Sequence, residues 1–351
     1  MPSLVTFLPC QSWNQNTIKL NVDDTIINLS SFREAYAILL TRKESIDLRL
    51  YRHPHITVSA EKSRLEMMVD LQAVSQKDTV NSIMTGWVVN IPQSDTLLQA
   101  RDIMSQRGVS QLVVVDEKTR PVGLISKRDV ARFLMEDSTN RSLEEISVSE
   151  ASSKSTPEIR QDLPIFNAAR LFDVENLTCA IVTNEHPFIG IVTETDLCSY
   201  FSRRIPNAFK VSEFMTSDFI FAKTSYPVVH VAQAIVFKQP SVPVIDEELV
   251  GILTLSDLLS IGQKKTDSIQ PHLTLGSGRK EVAMLTTREL MTRNPISVRQ
   301  DDDLAQAAQT IIRKGIGSLP VLDSAGTVVG LLSKHDIVRA LGRVGKPLDI
   351  D

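Results

Sequence analysis

Four segments of this chain close in the same way: PVGLISKRD (121–129), FIGIVTETD (188–196), LVGILTLSD (249–257) and VVGLLSKHD (328–336). Each reads apolar, Gly, two apolar residues, Ser or Thr, two variable residues, Asp. The glycines are Gly123, Gly190, Gly251 and Gly330, spaced by 67, 61 and 79 residues. A recurrence at this period means one supersecondary unit used repeatedly, and it excludes most folds open to a chain of 351 residues.

The surroundings recur as well. Before each motif lies a short Val- and Ile-rich run ending in turn formers: QLVVVDE (111–117), CAIVTNE (179–185), VPVIDEE (242–248) and LPVLDSAG (319–326). Helical patterns precede these runs. DTLLQARDIMSQRG (95–108) and DDLAQAAQTIIRKG (302–315) each open on Asp as an N-cap and close on Gly as a C-cap. A second helix follows each motif, as in DVARFLME and DIVRALGR. The unit is therefore helix, strand, strand, helix. It is led in three cases by Met-Thr and an extended piece: SIMTGWVVNIP (82–92), EFMTSDFIFA (213–222) and ELMTRNPISV (289–298). IRQDLP (159–164) stands where the second unit needs its leading strand, and Met-Thr is missing there, so that unit diverges most.

A β-α-β-β-α order closing on Gly-h-x-[Ser/Thr]-x-x-Asp resembles the CBS domain, and the resemblance covers about residues 80–343. It implies an α+β fold of tandem repeats paired into two modules in a disc-like pseudo-symmetric arrangement, as in the gamma subunit of AMP-activated protein kinase. The expected division is repeat one at 80–139, repeat two at 140–207, repeat three at 208–262, a linker at 263–284 and repeat four at 285–351. The resemblance also implies adenine nucleotides (AMP, ADP or ATP) held between paired repeats, no cofactor, and a regulatory rather than catalytic role. S-adenosylmethionine or another adenosyl ligand is the alternative, and a scaffold that binds no ligand is another.

The residue chemistry suits such a ligand. Where a strand turns into a helix, the helix presents unpaired N–H groups and the positive end of its dipole. There Ser126, Thr193, Thr254 and Ser333 can donate to a phosphate, and Asp129, Asp196, Asp257 and Asp336 can accept from ribose hydroxyls. Lys127 and Arg128 in the first copy, and Lys334 and His335 in the fourth, add positive charge. Glu194 in the second copy opposes a phosphate, and Leu255 and Ser256 in the third bring no charge. Copies one and four thus rank first as phosphate sites, three next and two last. The same hydroxyl–Asp pairs can equally be helix caps, and the sequence leaves both readings open. No nucleophile–base pair stands out. His230 reads as a structural residue in an apolar helix, and Asp301, Asp302 and Asp303 read as a capped, solvated first turn rather than a metal site.

Residues 1–79 lack the motif. NTIKLNVDDTIINLSS (16–31) alternates around Asp23 and Asp24 and predicts a hairpin; 31–43 and 61–76 predict helices, and 47–60 an extended piece. The region reads as a small α+β accessory piece or as a degenerate fifth repeat, with the accessory reading preferred. GQKKTDSIQPHLTLGSGRKEVA (262–283) reads as a loop. A net charge of −4 and balanced charge in the first 79 residues weigh against nucleic acid. Three dispersed cysteines, no signal-peptide pattern and no long apolar run predict a cytoplasmic protein without a membrane segment. The sensor role that the resemblance implies, with no catalytic domain attached, implies in turn an effector protein or a homo-oligomer.

Overall fold

Short Val- and Ile-rich runs alternating with amphipathic stretches give small three-stranded sheets, each flanked by helices. The computed structural model describes residues 78–137, 139, 141–154, 156–184, 188–260 and 285–344, and among the first 77 residues the backbone of four strands. The chain divides into two units, Met1–Ser63 and Arg64–Asp351.

In the first unit, β1 (Leu4–Phe7), β2 (Ile18–Val22), β3 (Thr25–Leu29) and β4 (Asp47–Leu48) form a sheet in the order β3-β2-β1-β4. β2 and β3 are antiparallel with Val22 opposite Thr25, as the expected hairpin requires. The alternation gave no sign of β1. The expected helices at 31–43 and 61–76, the extended residues after Leu48 and the loop at 262–283 lie outside the described residues.

In the second unit the same order appears four times. Repeat one has β5 (Asn90–Pro92), α1 (Leu97–Gln106), β6 (Gln111–Val115), β7 (Pro121–Ser126) and α2 (Lys127–Glu136). Repeat two has α3 (Val148–Ala151), β8 (Glu158–Arg160), α4 (Ile165–Val174), β9 (Cys179–Thr183), β10 (Gly190–Thr193) and α5 (Glu194–Arg204). Repeat three has α6 (Val228–Phe237), β11 (Ser241–Ile245), β12 (Leu249–Thr254) and α7 (Leu255–Leu259). Repeat four has α8 (Thr287–Leu290), β13 (Thr292–Arg293), β14 (Val298–Arg299), α9 (Leu304–Lys314), β15 (Ser318–Leu322), β16 (Val328–Ser333) and α10 (Lys334–Val344). In each repeat the strand before the first long helix runs parallel to the strand after it, which is antiparallel to the last strand; in repeat three a single bridge, Ala222 to Val244, replaces the leading strand.

Local chemistry sets the helix ends. The N-cap of α1 is Thr96 rather than Asp95, because Thr96 completes a capping box with Gln99, which Asp95 is one residue too early to do. Asp303 caps α9 by position only; its carboxylate accepts from the Asn207 N–H at 3.0 Å instead. Gly315 ends α9 in the left-handed region with φ +63°, as the C-terminal Gly predicts. His230 lies on the exposed face of α6, not in the core.

Repeats one and two exchange edge segments. Thr85 of repeat one pairs with Ile191 on β10, while Ser153 of repeat two donates its N–H to the Leu124 carbonyl on β7. Repeats three and four do the same: Thr216 pairs with Leu331 on β16, and β13 pairs with β12. The motif glycines lie under these crossings. A Cβ on Gly190 would stand 2.6 Å from the Thr85 carbonyl oxygen, and one on Gly330 2.7 Å from the Met215 sulfur. Repeat two's missing Met-Thr is thereby located: Ser152 and Ser153, after α3, hold the place of Met84 and Thr85.

The helices pair the repeats differently. One core joins repeats two and four, with Phe172, Leu197, Phe201, Leu304, Ile311, Ile337 and Leu341 fully buried. A second joins repeats one and three through Leu97, Met104, Val130, Ile235, Val242 and Leu253. Burying each such side chain contributes about 1.5–3 kcal/mol. Among the described residues no helix is long and apolar enough to cross a membrane.

Candidate functional site

At each motif the strand ends on the hydroxyl residue and the helix starts on the next one, because the hydroxyl residue is the N-cap and Asp the third helical residue. Asp129 Oδ2 accepts from the Ser126 N–H at 2.9 Å and its hydroxyl at 2.6 Å. The corresponding distances are 2.8 and 2.7 Å for Thr193 and Asp196, 2.9 and 2.7 Å for Thr254 and Asp257, and 2.8 and 2.6 Å for Ser333 and Asp336. The hydroxyls therefore donate to their own carboxylates, and a phosphate would compete with that bond. The first helical N–H is also engaged: Lys127 donates to Ser110 O, Glu194 to Thr178 O and Lys334 to Gly317 O. Capping accounts for one oxygen of every Asp.

The second oxygen differs between copies. Asp336 Oδ1 accepts from Arg339 at 2.8 Å, and Asp257 Oδ1 from the Thr292 hydroxyl at 3.2 Å. Asp129 Oδ1 lies 3.7 Å from Arg132. Burial raises the carboxyls of Asp196 and Asp336 above their usual range, Asp336 being 4% exposed. Arg132 and Arg339 did not figure among the expected site residues. Their signal was in the sequence, as Arg three residues after the motif Asp in DVAR and DIVR.

Side chains at the first two helical positions reach across to another repeat. Lys127 donates to Ser256 Oγ in repeat three at 3.2 Å. Lys334 donates to Thr195 Oγ1 in repeat two at 2.9 Å. Glu194 faces His335 of repeat four, Oε1 to Nδ1 at 3.1 Å, and Asp173 stands 3.4 Å from His335 Nε2. Lys127 also lies near Lys334: burial first, then repulsion by Lys334, pushes its ammonium below the usual range. Burial and Arg132 lower Arg128 likewise, while Glu194 acts the other way. The hydrogen bond to Glu194 holds His335 above its usual range. So Lys127 meets Ser256 where repeats one and three pair, and Lys334 and His335 meet Thr195, Glu194 and Asp173 where repeats two and four pair, with Lys127 close enough to Lys334 to feel its charge. Ser256, Thr195 and Asp173 were not expected there, and no short-range pattern marks them.

Among the described residues no carboxylate oxygen lies within ion-pair distance of Lys127, Arg128 or Lys334. No cluster of three potential metal ligands occurs among them either. The arrangement can neutralise an anion and accept from hydroxyls. Each motif hydroxyl donates to its own Asp, which gives one oxygen to the cap and keeps the other outside it, an arrangement suited to recognition.

The family model for the CBS domain matches residues 80–136, 148–203, 211–264 and 288–343. The uncharacterized protein MJ1225 of Methanocaldococcus jannaschii is 24% identical over 269 residues, which is 72% of this chain and 94% of that protein. Its crystal structure, described as that of a proposed archaeal homolog of g-AMPK, aligns with a TM-score of 0.67 at 23% identity, over 75% of this chain and 99% of that one. An uncharacterized conserved protein from Pyrococcus horikoshii aligns with a TM-score of 0.53 at 18% identity, over 75% and 100% of the two chains. At these identities the likeness is one of fold.

Proposed function

Since the chain belongs to the CBS-domain family, with the domain present four times between residues 80 and 343, we propose that it is a regulatory protein that binds an adenine nucleotide (AMP, ADP or ATP) at the junctions centred on Asp129 and Asp336 and passes the bound state to a partner protein. One observation carries this reading. Lys127 and Lys334 are half-buried cations near one another, Arg128 follows Lys127 in the chain, and none of the three has a carboxylate oxygen within ion-pair distance among the described residues; burial and repulsion by Lys334 already disfavour the charge on Lys127. Bringing like charges together in a partly desolvated place costs free energy, which a polyanion returns. Asp129 keeps one oxygen outside its capping box for a ribose hydroxyl. The description of MJ1225 as a homolog of g-AMPK supports the same class.

A nucleotide regulates only by binding two conformations unequally. Here it would touch residues of more than one repeat, so its binding favours one relative placement of them.

The test is isothermal titration of AMP, ADP, ATP and S-adenosylmethionine into wild type, Lys127→Met, Lys334→Met and Asp129→Asn. The Asn variant keeps an oxygen for the Ser126 N–H, so the cap survives while the charge is lost. Nucleotide affinity falling by roughly tenfold or more in the Lys variants, with unchanged thermal stability, supports the reading. S-adenosylmethionine binding indifferent to both Lys variants would replace it with the adenosyl-ligand alternative. No heat with any of them, in protein shown free of carried-over nucleotide, would sink it in favour of a scaffold.

A further inference from the structure

The four first-turn positions do not carry equal charge. The first helical residue is Lys127 in repeat one and Lys334 in repeat four, but Leu255 in repeat three and Glu194 in repeat two. Each polar one reaches across the helix pairing to the second helical residue of the opposite repeat: Lys127 to Ser256, Lys334 to Thr195 and Glu194 to His335. Glu194 is the one carboxylate among these four first helical residues. Its side chain is 15% exposed, its Oε1 lies 3.1 Å from the ring of His335, and Asp173 closes on the other ring nitrogen at 3.4 Å. The Arg128 guanidinium also feels its charge. A carboxylate held by an imidazole at the start of one helix and facing an arginine from another repeat occupies the electrostatic position of a phosphate oxygen.

We propose that Glu194 is an internal stand-in for a ligand phosphate: it occupies His335 on the side of repeats two and four, so that a nucleotide's phosphates engage Lys127, Arg128 and Lys334 first and reach His335 only by displacing Glu194. This inference rests on the nucleotide reading above. Its consequence is selectivity by charge. A neutral adenosine meets no opposition from Glu194, whereas a triphosphate directed at that side meets a fixed negative charge and a cation already engaged. Repeat two's lower rank as a phosphate site, read from its sequence, then becomes a positive feature: the fold carries its own competitor there.

The experiment is titration of the full chain with ATP and with adenosine, using wild type, Glu194→Gln and Glu194→Asp. Glu194→Gln is expected to tighten ATP binding on the side of repeats two and four by roughly tenfold, the weight of one unit charge a few ångströms away in a half-buried place, and to leave adenosine unchanged. Glu194→Asp keeps the charge and is expected to bind ATP as wild type does. Should Glu194→Gln not fold, Glu194→Ala reads the same effect, Ala being a good helix former. ATP binding that is present in wild type and unaltered by Glu194→Gln overturns this inference and leaves the nucleotide reading standing. Equal tightening for adenosine also overturns it, since that would be general loosening. ATP binding absent from wild type and Glu194→Gln alike overturns both.

Discussion

At the level of single residues, the motif Asp does two things with its two oxygens. Oδ2 closes a capping box with Ser126, Thr193, Thr254 or Ser333, and Oδ1 faces an arginine in repeats one and four and a hydroxyl in repeat three. Removing the carboxylate therefore confuses stability with binding, since a lost cap alone costs about 0.5–2 kcal/mol. His335 allows a cleaner test. Its imidazolium gains from Glu194 and Asp173, so its folded value is raised above the ordinary 6.5. A raised value stabilises the fold fully below the unfolded value and loses that contribution as pH rises through the folded one. The stability difference between wild type and His335→Gln, measured by chemical denaturation, should be largest below the ordinary value of 6.5 and shrink as pH rises above it; a difference that grows with pH would contradict the pairing. The hydroxyl-to-Asp spacing was legible in the sequence because a cap is a local, three-residue geometry. The Lys127–Ser256 and Lys334–Thr195 pairs join residues 129 and 139 positions apart, and nothing local encodes which helix start meets which.

Among the elements, the repeated glycines owe their identity to the edge exchange. Gly190 and Gly330 occupy the same motif position but face different atoms. A Cβ at 190 meets the Thr85 backbone oxygen at 2.6 Å, and one at 330 meets first the end of the flexible Met215 side chain at 2.7 Å. Backbone yields less readily than a methionine. Gly190→Ala should thus destabilise by about 1–3 kcal/mol, and Gly330→Ala by less, as read from thermal melts of the two variants; the reverse order would remove backbone approach as the reason for glycine. The β-α-β-β-α order was readable because strands and helices differ in apolar period. The start of repeat two was not, since Ser152 and Ser153 replace the Met-Thr that marks the others, and their role appears only from the edge of β7 that they complete.

For the described part of the second unit as a whole, the two kinds of contact cross. Edge segments join one with two and three with four, while apolar cores join one with three and two with four. No repeat owns a complete core: each core is shared by two repeats, and the edge segments tie the two cores together. Heating should therefore unfold this unit in one step, with calorimetric and van't Hoff enthalpies in agreement. Two resolved transitions would show that one core outlasts the other. Truncating Phe172, fully buried between repeats two and four, should lower the whole transition rather than split it, by about 3–5 kcal/mol for Phe172→Ala. Repetition itself announced four like units, but which unit meets which depends on matching apolar faces, and the four faces read alike in sequence.

The exchanged edges also bear on how such a chain is made and how it can change. During synthesis the edge strand that repeat two requires, around Thr85, emerges before repeat two itself, whereas β7 of repeat one waits until Ser153 has left the ribosome. Half of each pair is made in advance and half in arrears, so two consecutive repeats are the smallest length of chain that closes its own sheet edges. A lineage that gained or lost a single repeat would leave an open edge of unpaired N–H and C=O groups, ready to recruit a stray strand. Growth or loss of this architecture should then proceed in twos.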